Sequence, residues 1–136
     1  MKNSSRSAWT AAAWDLVAVL VFAAIGRASH GEGIGLAGVL RTAGPFVVGC
    51  LVGYVLVLAL SRTRSRSHGF LAGALVWVAT VVVGMLVRHA TGGGVQTFFV
   101  VVTTVVLAVF LLGWRAAARL VTRGRDRRAD RATATA

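Results

Sequence analysis

Apolar residues run along this chain in four long blocks, separated by short polar or glycine-rich segments. The blocks cover residues 8–25, 43–60, 70–87 and 95–114. A bilayer core about 30 Å thick needs about 20 mostly apolar residues as a helix, and each block is close to that length. Valine-rich runs such as 100–109 would favour a sheet in water. Here the apolar character is continuous, whereas a membrane barrel needs strict alternation, and hydrocarbon admits only helices and closed barrels. The pattern predicts an all-α integral membrane four-helix bundle, up-down-up-down, with helices at about 8–27, 43–60, 70–87 and 95–118. Residues 1–7 read as a disordered polar start and 119–136 as a disordered basic tail.

The joining segments refine this picture. Residues 61–69 are short and basic, which makes an antiparallel hairpin of the second and third helices. Residues 88–94 hold three consecutive glycines and join the third helix to the fourth. The longer segment 26–41 contains Gly31, Gly33, Gly35 and Gly38, and its mildly apolar part, 34–40, suits the membrane interface. Gly44-Pro45 reads as the start of the second helix, because a proline in the first turn has no N–H to lose. Trp9 and Trp14 fit an aromatic belt, and Trp114-Arg115 reads as an interfacial anchor closing the fourth helix. The hairpins are glycine-rich, but their motifs do not match, and no inverted repeat stands out.

Composition agrees with a membrane protein. The chain has 136 residues, 57% of them hydrophobic, and a mean hydropathy of +0.76. No second, soluble domain fits beside four spans. The net charge of +11 invites a nucleic-acid reading, but its distribution argues against one. Lys2 and Arg6, then Arg62, Arg64 and Arg66, then seven tail arginines from Arg115 to Arg131 all fall on one side of an even number of spans. Only Arg27, Arg41 and Arg88 fall on the other. Twelve against three is a positive-inside signal that places both termini in the cytoplasm. No aromatics are interleaved with the tail arginines, so nucleic acid is not an expected partner. The expected partners are the bilayer and the anionic headgroups at the Arg-rich inner face. Arginine makes up fourteen of the fifteen basic residues, beside abundant Ala, Val and Gly. That bias fits a prokaryote with GC-rich codons, and hence the plasma membrane. Cys50 is the single cysteine; it excludes an internal disulfide and reads as a small hydrophobe within the second helix. The first block loosely resembles a signal peptide, but Asp15 and two tryptophans are out of place in an h-region, so it is read as a span.

The candidate chemistry lies at two depths. Asp15 interrupts the first block, and an ionisable residue within a span is a functional-site hypothesis by default. At a rise of about 1.5 Å per residue, Tyr54, Trp77 and Thr104 reach a similar layer, with Thr80 nearby. They are the candidate neighbours of a small polar pocket around Asp15. The competing reading is a structural anchor, with Arg115, Arg119 or Arg62 reaching inward by snorkelling. At the other end, Arg27, His30, Glu32, Arg41, Arg88 and His89 leave the membrane at one face. Converging arginines and histidines there would favour an anion such as a carboxylate or a lipid phosphate; the plainer reading is solvated loop charges. His30 and His89 have no fixed ligand spacing, so no metal and no cofactor is expected, and His68 reads as solvated.

Small residues mark the packing faces, since helices in lipid associate through close backbone approach. Read at helical spacing, the second helix presents Pro45, Gly49 and Gly53, and the third presents Gly73, Trp77, Thr80 and Gly84. The fourth presents Gln96, Val100, Thr103 and Leu107. The stripe on the first, Asp15, Val19, Phe22 and Gly26, is ambiguous, because Val19 and Phe22 would suit lipid equally well.

The run DLVAVLVFAAIGRASH at 15–30, together with RTAGPFVVGCLVGY at 41–54, resembles a family of small prokaryotic four-helix membrane proteins, the domain of unknown function 3054. Asp15, Phe22, Gly26, Arg27 and His30 match in the first run, and Thr42, Pro45 and Phe46 in the second. The resemblance covers about residues 12–115. It implies a four-span fold and transfers no activity and no catalytic residue.

Two functional readings follow. The first is a non-enzymatic small-solute or ion binding and transport module, with a buried Asp15 site and an outer Arg/His cluster. So small a bundle would line a path most readily as a homo-oligomer. The alternative is a structural or assembly protein that stabilises a membrane complex through its glycine-rich faces. An enzyme is not expected, because no nucleophile and acid/base pair lie at reachable depths.

Overall fold

A computed structural model describes residues 2–61 and 70–134. Four helices account for nearly all of them: α1 (Lys2–Ser29), α2 (Leu36–Ser61), α3 (Phe70–Ala90) and α4 (Thr97–Ala134). All four are long and apolar enough to cross a membrane, over Trp9–Ser29, Leu36–Leu60, Phe70–Ala90 and Thr97–Val121. The basic segment expected between the second and third helices, with Arg62, Arg64, Arg66 and His68, lies outside the described residues. So do the side chains of the tail arginines from Arg123 onward.

The helical backbone runs further than the apolar blocks. It reaches back to Lys2 and on to Ala134, over segments whose composition suggested disorder. Neither segment holds a proline, and their Ala, Arg and Lys are good helix formers. α2 likewise begins at Leu36, so Pro45 lies in the helix interior instead of opening it. The true start is Gly35, whose carbonyl accepts the first helical bond from Val39 N–H at 3.0 Å. Proline is tolerated inside a membrane helix where neighbouring helices re-satisfy the freed backbone group, and Pro45 is buried against them.

The helices form a ring in chain order, with α1 closing back onto α4. The α2–α3 seam is the tightest and the α1–α4 seam the loosest. Lipid tails are as apolar as leucine, so close packing and polar contacts hold such helices together more than water exclusion does. Glycines account for the tight seam. A Cβ on Gly49 would stand 2.7 Å from the Thr80 carbonyl oxygen, and one on Gly53 would stand 2.8 Å from the Val76 Cα. A Cβ on Gly84 would meet the Phe46 ring at 2.5 Å. Phe46 also takes the edge of Phe22, with centroids 5.5 Å apart and planes at 85°. Val19 and Phe22 belong to the core with Leu107 and Leu111, which settles the ambiguous stripe of α1. Leu20, Val55, Leu71, Val82, Leu86 and Val105 remain exposed, an outer surface that suits hydrocarbon.

The two hairpins, α1–α2 and α3–α4, follow one frame. Arg27-x-x-x-Gly31-x-Gly33 recurs as Arg88-x-x-x-Gly92-x-Gly94, 61 positions on. Glu32 N–H donates to the Arg27 carbonyl and Gly31 N–H to the Ala28 carbonyl, the paired bonds of a Schellman cap. Gly93 N–H to Arg88 and Gly92 N–H to His89 repeat the pair. Gly31 and Gly92 hold φ at 69° and 80°, a conformation in which a Cβ is strained. Each arginine then folds over its own turn: Arg27 Nε donates to the Gly33 carbonyl at 2.9 Å and Arg88 Nε to the Gly94 carbonyl at 3.0 Å. Gln96 starts α4 as Gly35 starts α2, accepting from Val100 N–H. The same frame relates buried positions of the core: Val19 with Thr80, Phe46 with Leu107, and Cys50 with Leu111. The expectation that the hairpin motifs do not match is therefore corrected. Overall glycine content hid the match, and aligning on the arginines reveals it. Both halves run in the same direction, so this is a parallel repeat, not an inverted one.

Candidate functional site

Asp15 is fully buried, and its carboxylate is saturated by donors from α2 and α4. Arg115 grips both oxygens, with Nη1 donating to Oδ1 at 2.8 Å and Nη2 to Oδ2 at 2.7 Å. Trp114 Nε1 donates to Oδ1 at 2.9 Å and the Tyr54 hydroxyl to Oδ2 at 2.6 Å. Arg115 Nη2 also donates to the Tyr54 oxygen at 3.2 Å, and Nη1 to the Leu111 carbonyl at 2.6 Å. Its guanidinium lies 4.6 Å from the centre of the Trp114 ring. A bidentate Arg–carboxylate pair is among the stronger and more directional contacts available, and here it is largely buried. Gly73 makes the space: a Cβ there would stand 2.6 Å from Arg115 Cδ. The duplicated frame explains the convergence, because Tyr54 and Arg115 are equivalent positions of the two halves. Each projects inward at the level of Asp15.

This arrangement upholds part of the expected pocket and corrects the rest. Tyr54 reaches Asp15 as expected, and Arg115 is the snorkelling partner named among the alternatives. Trp77, Thr80 and Thr104 do not reach it. Trp77 Nε1 donates to the Thr104 carbonyl at 3.1 Å, tying α3 to α4. The Thr80 and Thr104 hydroxyls turn back onto the Val76 and Val100 carbonyls, one helical turn earlier. Helix propensity for such back-bonding outcompetes a long reach to a carboxylate already filled. Trp114 and Arg115 do not end a helix at the interface. α4 continues, and both side chains fold inward onto Asp15.

The opposite end of the bundle holds a cavity of about 540 Å³. Arg27, Arg41, Arg88 and Glu32 are its charged walls, with Thr42 and Thr91 among its polar ones. Three guanidinium groups face a single carboxylate. Arg27 Nη1 pairs with Glu32 at 2.6 Å and donates to the Thr42 hydroxyl at 3.3 Å. Arg88 stacks its guanidinium 4.5 Å from the centre of the Phe99 ring. Its Nε donates to the Gly94 carbonyl, and no described carboxylate pairs with it. Arg27 and Arg88 thus meet Arg41 as the sequence suggested. His30 and His89 do not line this cavity; both are exposed on the turns. The Schellman geometry points the arginine at the head of each turn inward and the histidines outward. The sequence placed Arg41 in this outer group as the residue at the entry of the second helix. Its signal was a charge inside a stretch otherwise apolar enough to span.

Among the described residues, no three His, Cys, Asp or Glu side chains group as metal ligands. Four membrane-length helices, with a buried ion pair at one end and a basic cavity at the other, define a small multi-pass membrane protein. Residues 12–118 match the family described as Protein of unknown function (DUF3054), and the chain belongs to that family. Neither a curated protein nor a solved structure matches it.

Proposed function

We propose that this chain is a non-enzymatic membrane binding module whose ligand is an anion, taken in the cavity between Arg27, Arg41 and Arg88. The observation that carries this reading is the excess of positive charge there: three guanidinium groups against one carboxylate, around a volume within the usual range of ligand sites. Asp15 is then not the solute site. With four donors on its two oxygens it has no free valence for a cation, and it serves to lock α1 against α2 and α4. The Arg-rich segments favour both termini in the cytoplasm, which puts the cavity at the outer face.

The alternative, an assembly protein docking through its glycine faces, has less support. Gly49, Gly53 and Gly84 are filled by the protein's own α2–α3 seam, so those faces are not available to a partner.

The test is anion-dependent thermal stabilisation of the full chain in a non-ionic, phosphate-free detergent, at constant ionic strength. A saturable rise in Tm with acetate or inorganic phosphate, lost in Arg41→Ala, supports the reading. No saturable response to any anion refutes it. Flux of the bound anion in proteoliposomes then separates a transporter from a binder.

A further inference from the structure

We infer that the cavity ligand is a phosphate group, held by Arg41 and Arg88, and that Glu32 keeps Arg27 neutralised beside it. This rests on the anion-binding reading above and specifies its chemistry.

The duplicated turn supplies the argument. A turn of this form needs its arginine at the head and its glycines at the bends, and both copies have them. It needs no acidic residue, because Glu32 in the first copy is Gly93 in the second. Nor does the helix that follows need a charge one turn in, because Arg41 in α2 is Val102 in α4. Glu32 and Arg41 are therefore additions to one half, and both line the same cavity. What differs between two otherwise matched hairpins is what the fold does not require.

Their chemistry fits together. Glu32 meets Arg27 at 2.6 Å with more than half of its side chain exposed, so the pair is close but readily opened. Arg88, with Gly93 in place of the glutamate, has no such counter-ion among the described residues. Among the described residues Arg41 has no hydrogen-bond or ion-pair partner. It stands little more than one turn into a membrane-length helix, exposed at the loop end of the spans. With Arg27 neutralised, two positive charges remain, matched in sign and number to a phosphomonoester dianion. Two guanidinium forks suit phosphate geometry through paired N–H···O bonds, and the Thr42 hydroxyl, which accepts from Arg27, keeps its own proton to donate. A carboxylate would leave one of these charges uncompensated. The cavity lies at the loop end of the spans, where a lipid headgroup and a soluble phosphate compound can both reach it.

The experiment uses the purified full chain with two sets of probes. Inorganic phosphate and glycerol phosphate, against acetate as the carboxylate control, are titrated in phosphate-free detergent. Phosphatidic acid, against phosphatidylglycerol at equal surface charge, is compared in nanodiscs. Phosphate binding at least tenfold tighter than acetate is expected, weakened about tenfold or more by Arg41→Ala or Arg88→Ala, each removing a charge-assisted contact. Glu32→Gln is expected to tighten phosphate binding while leaving Tm without ligand nearly unchanged. Preference for phosphatidic acid over glycerol phosphate assigns the source to lipid, and the reverse assigns it to a soluble compound; either supports the phosphate site. Acetate binding as tightly as phosphate overturns this inference and leaves the broader anion reading intact. Phosphate binding unchanged by both arginine variants, or weakened by Glu32→Gln, overturns it as well.

Discussion

At the scale of single residues, one carboxylate organises an entire end of the molecule. Asp15 has no exposed surface, and a lone charge in that position would be far too costly to keep. Arg115, Tyr54 and Trp114 make it tolerable. Breaking such a pair costs more than making it contributes, because the orphaned partner remains buried; losses of about 3–5 kcal/mol are typical. Asp15→Asn and Arg115→Met are each expected to lower stability by that order, read as Tm in detergent. The joint replacement Asp15→Leu with Arg115→Met is expected to lose less than the sum of the two single changes, since neither charge is then stranded. Tyr54→Phe removes the hydrogen bond donated to Asp15 and the one accepted from Arg115, and should cost about 1.5–3 kcal/mol. Asp15 was conspicuous in sequence because it interrupts an apolar run. Its partners were not, because Trp114 and Arg115 look like an ordinary interfacial pair until α4 is seen to continue past them.

At the scale of elements, glycines do two separate jobs. Gly49 and Gly53 bring α2 against α3, where an added Cβ would meet backbone that has nowhere to go. Gly49→Ala is expected to destabilise by about 1–3 kcal/mol, the usual cost of overpacking. Gly44→Ala is its control, with open space at the same helix, and should be neutral or slightly stabilising, since alanine is the better helix former. Gly31 and Gly92 instead provide left-handed backbone at the caps. Gly31→Ala and Gly92→Ala should each cost about 1–2 kcal/mol, and their losses should agree because the two turns share one geometry. Unequal losses would count against the matched-turn description. The glycine faces of the second and third helices were legible from spacing alone. Pro45 was misleading, because its preference for a first helical turn yields to the lipid-facing and core-facing pattern that carries α2 back to Leu36.

At the scale of the whole molecule, two like hairpins are joined by contacts their common frame does not share. Asp15 of the first half pairs with Arg115 of the second, while its own counterpart is Val76. The α2–α3 seam is drawn tight by glycine, and its counterpart between α4 and α1, with Phe110 where α2 has Gly49, is looser. Asymmetry of this kind lets one end lock the bundle and the other open a cavity. The charge distribution predicts how the bundle lies in the membrane. A reporter fused after residue 136 is expected on the cytoplasmic side, and activity only outside the cell would reverse the orientation and move the cavity to the inner face.

Hydropathy fixed the four helices and their membrane length, because continuous apolarity over about 20 residues has few structural solutions when backbone polar groups must be satisfied within the segment. Spacing of small residues fixed which faces of α2 and α3 meet. Both are local properties, and a linear sequence carries them in full. Which donors saturate Asp15, which of Val19 and Thr80 face the core or the backbone, and which of six polar loop residues share a cavity were decided only when four helices closed into a ring. Those contacts join positions as much as 100 residues apart, and their energies depend on helix rotation and depth to within a fraction of a turn.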